Sequence, residues 1–179
     1  MLTLMKRNVF YLLLFVLYSS TALSEPIQAS TKESITKCYE SQNSKVPSSE
    51  FCESALKMAT LEEDKALILS NLALLQFREG QKTKALNSIT EAISLTPSNS
   101  SVFVNLSNLK IRQSLFLEAL EALDLAVQYG GSQQPAIYLN RTIALSGLGR
   151  FLEARENYIQ YRLLIEPTGQ KDPREAEAK

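Results

Sequence analysis

Residues 85–93 read ALNSITEAI, and residues 119–127 read ALEALDLAV. Ala85, Leu86, Ile89, Ala92 and Ile93 thus return as Ala119, Leu120, Leu123, Ala126 and Val127, each displaced by 34 positions. Offsets of one, four, seven and eight put these apolar residues on one stripe of a 3.6-residue helix, and strand-like alternation is absent. A helical pattern with a period in the thirties marks a repeated supersecondary unit, so each residue is read by its place in the repeat.

Working outward, Gly80 corresponds to Ser114 and then to Gly149, and Ala85 to Ala119 and then to Ala154, in steps of 34 and 35. Upstream, Leu69, Leu72 and Ala73 are matched by Phe103, Leu106 and Ser107. One period therefore contains two amphipathic helices. Thr60 with Glu63 reads as a capping box before the helix running to about Arg78, and Ser30 with Glu33 as another before the first helix. Gly80, the Pro97-Ser98-Asn99 run and the Gly130-Gly131 pair are the expected breaks between helices.

These residues resemble the tetratricopeptide repeat family. Leu69, Leu72, Ala73, Gly80, Ala85, Ile89, Ala92 and Pro97 meet its pattern in one unit. Phe103, Leu106, Ser107, Ala119, Leu123 and Ala126 meet it in the next, with Ser114 at the turn and Gly131 in place of the proline. In the third, Tyr138, Thr142, Gly149, Ala154 and Tyr158 match, while Arg141 and Tyr161 depart. Cys52, Leu56 and Ala59 precede Ala85, Ile89 and Ala92 by 33 residues and suggest a degenerate unit upstream. The resemblance implies an all-α fold: a superhelical stack of antiparallel helix pairs, with about three clear repeats and one degenerate N-terminal pair. It also implies a concave surface made mainly by the first helix of each pair.

Composition narrows the function. The 19 basic and 19 acidic residues of the 179 balance, so no net field favours nucleic acid. Histidine is absent, which removes the usual neutral-pH general base and most catalytic zinc arrangements. No cofactor, metal site or enzymatic activity is expected. Lys6 and Arg7 followed by the apolar run from Val9 to Tyr18 read as a signal peptide over residues 1–24, cut after Ser24 or after Ala22. Ten residues rise only about 15 Å, half of a bilayer core, so a retained membrane anchor is the weaker alternative. Export implies a periplasmic or secreted protein. Residues 25–60 are read as the degenerate hairpin, 61–167 as the repeat domain and 168–179 as a polar flexible tail.

Two cysteines, Cys38 and Cys52, lie in the exported part. A hairpin turning about Asn43 to Ser48 sets them opposite one another, and an oxidising compartment lets them pair. Closing a loop of about 15 residues contributes roughly 3 kcal/mol in the chain-entropy picture.

Several motifs are discounted: Ser34 with Lys37 as a Ser-x-x-Lys lacks its companions, and Gly147 with Gly149 begins a Gly-x-Gly inside a helical segment. Glycosylation-like triplets begin at Asn99, Asn105 and Asn140, two of them inside expected helices. The expected groove is lined by Asn71, Leu74, Phe77, Arg78, Asn105, Asn108, Ile111, Arg112, Asn140 and Ile143. Within it Asn71, Asn105 and Asn140 form a ladder that either grips a peptide backbone or bonds the neighbouring helix. Arg78 and Arg112, 34 residues apart, are either a carboxylate-binding pair or solvated charges near helix ends. The expected function is a non-enzymatic adaptor holding a peptide or helix of a partner protein. The alternative is a scaffold that homo-oligomerises through Leu67, Leu74 and Phe77.

Overall fold

The computed structural model describes residues 25–42, 44 and 48–166, within which every regular element is helical. The expected signal peptide and tail lie outside these residues, as does most of the turn after Ser41. The α-helices are α1 (Glu25–Ser41), α2 (Glu50–Met58), α3 (Glu62–Arg78), α4 (Lys82–Leu95), α5 (Ser100–Arg112), α6 (Phe116–Gln128), α7 (Pro135–Gly147) and α8 (Phe151–Ile165). A short 3₁₀ turn, Gly131–Gln133, precedes α7.

The turns inside the three clear pairs are built alike. Gly80, Ser114 and Gly149 all take positive φ, at 80°, 60° and 73°. In each, the residue after the turn donates its N–H to a carbonyl five positions back: Gln81 to Gln76 at 2.8 Å, Leu115 to Lys110 at 2.9 Å and Arg150 to Leu145 at 2.9 Å. This is the helix-ending motif in which a left-handed residue lets late amides recover orphaned carbonyls. The aligned positions in sequence are thus the same device in space.

Helices pack as consecutive pairs, α1 with α2, α3 with α4, α5 with α6 and α7 with α8. First helices also touch in series, α1 to α3 to α5 to α7. Together these contacts give a solenoid-like arrangement. Small residues occupy the close approaches: Ala73, Ala85, Ala92, Ala119, Ala126 and Ala144 are fully buried. Each core spans a junction between units. One joins Leu69, Ala73, Ala85 and Ile89 of the α3–α4 pair to Val102 and Leu109 of α5. Another joins Phe103, Leu123 and Ala126 of the α5–α6 pair to Ile137 of α7. Neither of these two pairs completes its apolar core without the next, which is the reason such units occur in series.

At the N-terminal end Cys38 and Cys52 form a disulfide, with their Cα atoms 4.6 Å apart. Both are buried against Ala55, Ile68, Leu72 and Leu75. The end of α3 holds the same hairpin from beneath. The Arg78 guanidinium donates to the carbonyls of Gln42 and Ser44, the latter at 3.1 Å. Glu79 accepts the Ser49 N–H at 2.8 Å.

Three local expectations require correction. Helix α3 begins at Glu62 with Leu61 at its N-cap and no side-chain cap, so Thr60 and Glu63 do not form a capping box. Helix α1 already runs through Ser30, which therefore does not start it. Leu86 is 54% exposed although Ala85 and Ile89 on the same helix are buried. It borders an open cleft between units instead of a packed junction.

Because the disulfide closes only the α1–α2 hairpin, reduction should remove about 3 kcal/mol of stability from that end. Amide exchange with and without reductant should quicken in α1 and α2 while α5 to α8 keep their protection. Equal acceleration through α8 would contradict a local role.

Candidate functional site

Helix α3 is buried nearly all round: from Ala66 to Gln76 only Leu67 is partly open, because α1 and α2 cover one side and α4 and α5 the others. Leu74, expected in the groove, is 1% exposed and belongs to the core with Ile89 and Leu109. It reaches neither a ligand nor a second copy, so the oligomer face drawn through Leu67, Leu74 and Phe77 loses its middle.

The asparagine ladder faces inward. Asn105 Nδ2 donates to Asn71 Oδ1 at 2.8 Å and to Ser70 Oγ at 2.9 Å. Asn140 Nδ2 donates to Ser107 Oγ at 3.0 Å. Each serine in turn donates to a carbonyl of its own helix, Ser70 to Leu67 and Ser107 to Val104. The amides therefore tie α3 to α5 and α5 to α7, satisfying buried polar atoms that are expensive to leave unpaired. Thr142 ends the series by donating to Tyr138 O within its own helix, at 2.8 Å, and lies 3.3 Å from Ala154 O of α8. Of the two readings of the ladder, these bonds are those of the neighbouring-helix one.

Arg78 is likewise committed to the end of the N-terminal hairpin, which separates it in role from Arg112. Arg112 Nε donates to Asn108 Oδ1 at 3.1 Å. Its side chain as a whole is exposed, but desolvation of the guanidinium, then the positive charge of Arg78, pull its pKa below the ordinary arginine value. Among the described residues no carboxylate pairs with it.

Of the expected groove residues outside the core, the ladder and the hairpin contact, Phe77, Asn108, Ile111, Arg112 and Ile143 are each half-buried or exposed. Phe77 and Arg112 meet in a cleft of about 620 Å³ between the α3–α4 and α5–α6 pairs. Lys82 and Leu86 of α4 and Lys110 and Ser114 of the second unit also line it. Neither Lys82 nor Ser114 is foreseen from the repeat stripe. Their signal lies in departures from the repeat: lysine where the two later units carry phenylalanine, serine where the first and third units carry glycine.

The discounted motifs do not assemble. Ser34 Oγ lies 3.8 Å from the Met58 sulfur, while Lys37 pairs with Glu33 at 2.8 Å. That hydrogen bond lowers the Glu33 pKa and raises that of Lys37. Gly149 is a helix-ending turn residue. Asn99 caps α5, its Oδ1 accepting the Ser101 N–H at 3.0 Å. No group of three or more His, Cys, Asp or Glu side chains able to hold a metal occurs among the described residues. None of the described helices is long and apolar enough to cross a membrane.

No protein-family model matches this chain, and the comparison with curated proteins finds no significant relative.

Replacing Asn105 with alanine removes the donor from both Asn71 and Ser70. Denaturant unfolding should register a loss of about 1–3 kcal/mol. Full stability combined with a lost binding activity would return the ladder to the ligand.

Proposed function

We propose that this chain is an exported adaptor of the tetratricopeptide type, which holds a peptide or helix of a partner protein on the open face of its first helices. The observation that carries the reading is the set of side chains left over when the cores and the ladder are complete. Phe77, Asn108, Ile111, Arg112 and Ile143 come from three successive first helices and mix apolar surface with hydrogen-bonding groups. Surfaces of that kind favour binding to protein. The bonded cysteine pair and the N-terminal charged and apolar segment support an oxidising destination, the periplasm or the outside of the cell.

Replacing Ile111 and Ile143 together with glutamate should abolish partner capture and leave the fold intact. The test is cross-linked affinity capture from the native envelope, comparing the parent with the double variant. Proteins enriched by the parent and lost by the variant support the reading; identical sets for both remove the first-helix face from consideration.

A second reading, self-association, is favoured by the outer side of α8, where Phe151 is 68% and Leu152 80% exposed. It predicts a mass that rises with concentration in light scattering and becomes monomeric when both residues are replaced with aspartate. A monomer throughout excludes it.

A further inference from the structure

The cleft between the first two clear units exists because one junction departs from the other. Residues 116–119 and 151–154 both read FLEA, whereas residues 82–85, at the same place in the first clear unit, read KTKA. At the junction of the second and third units the Phe116 ring lies hard against Gly147: a Cβ there would come within 2.5 Å of the ring. The same two positions one junction earlier are Lys82 and Arg112, by the repeat steps of 34 and 35. An apolar plug and its glycine seat have thus been replaced by two cations lining an open space.

Three further features converge there. Lys110 adds a third cation to the lining, and its Glu118 partner leaves Lys82 and Arg112 without a carboxylate among the described residues. Ser114, at φ 60°, holds the left-handed conformation that the other two units assign to glycine. That costs a side-chain-bearing residue roughly 1–2 kcal/mol, and the serine contributes to the cleft lining. Phe77 and the exposed Leu86 supply an apolar wall. At about 620 Å³ the space has the size of a site for part of a ligand and not of a packing defect.

We infer that this cleft binds an acidic side chain of a partner protein, its carboxylate received by Lys82 and Arg112 and an adjoining apolar residue laid against Phe77 and Leu86. The inference rests on the adaptor reading and names the chemistry of the partner. Charge complementarity selects the occupant: two cations in one lining, neither ion-paired among the described residues, favour a carboxylate by charge-assisted hydrogen bonds.

The test titrates isotope-labelled, disulfide-bonded protein with acetyl-Leu-Asp-Glu-Leu-amide, with its neutral counterpart acetyl-Leu-Asn-Gln-Leu-amide, and with inorganic phosphate. The acidic peptide should shift the amides of Thr83, Gln113 and Ser114 and the Arg112 Nε signal, and should bind more weakly as salt is raised. Replacing Lys82 and Arg112 with glutamine should weaken it at least about tenfold. The Lys82→Phe, Arg112→Gly variant, which rebuilds the plug of the next junction, should retain the thermal midpoint and lose binding entirely.

Absence of shifts with the acidic peptide overturns the inference, and so do equal shifts from the neutral peptide. Equal shifts from phosphate alone overturn it in favour of a small-anion site. A natural partner lost with the Ile111 and Ile143 variant but still captured by Lys82→Phe, Arg112→Gly would sink this inference and leave the adaptor reading standing.

Discussion

Close approach of helices at alanine is the constraint on which the rest of the structure depends. Ala73, Ala85 and Ala92 in one unit and Ala119 and Ala126 in the next are fully buried. A larger side chain at these places would push the partner helix away and open the core that each pair shares with its successor. Leu69, Ile89 and Leu109 meet across one such junction, Leu123 and Ile137 across another. The fold is therefore a chain of mutual completions: α4 closes against α3, and α5 closes both.

Polar groups reinforce the same junctions. The Asn105 and Asn140 amides each cross from one first helix to the one before it, and Gln134 does the same at the start of α7 by donating to Ser100 Oγ at 2.7 Å. Alanine contacts are non-directional and set distance. Amide contacts are directional and set rotation, since an asparagine turned away from its serine would leave buried donors and acceptors unpaired. What this division of labour leaves for function is the remainder: Ile111, Ile143 and Asn108 on one face, and the cleft where Lys82 and Arg112 replace the plug.

Much of this is legible in the sequence because a repeat is averaged over its copies. The spacing of Ala85, Ile89 and Ala92, returning at Ala119, Leu123 and Ala126, suffices for the helix pairs and for which residues they bury. The Cys38–Cys52 bond is legible because two helices and a short turn leave few geometries for the hairpin. The site is less legible, for a physical reason. Periodicity says which residues share a face and is silent on which neighbour covers it. Leu74, Asn108 and Ile143 occupy one repeat position, yet Leu74 packs in the core with Ile89 of α4 and Leu109 of α5, whereas Ile143 is 41% exposed. Arg78 and Arg112 likewise look equivalent until the carbonyls of Gln42 and Ser44 engage the first of them. Departures from the repeat are the better guide to function, and the change from FLEA to KTKA is one that alignment of the units exposes directly.

Denaturant unfolding of an Ala119→Leu variant tests the central claim most directly. Ala119 is fully buried where α6 turns in against its neighbours. Tight helix contact through small residues predicts a loss of about 1–3 kcal/mol for this overpacking change. A variant as stable as its parent would mean that the helices have room to spare at that crossing, and the account of how the units are joined would be contradicted.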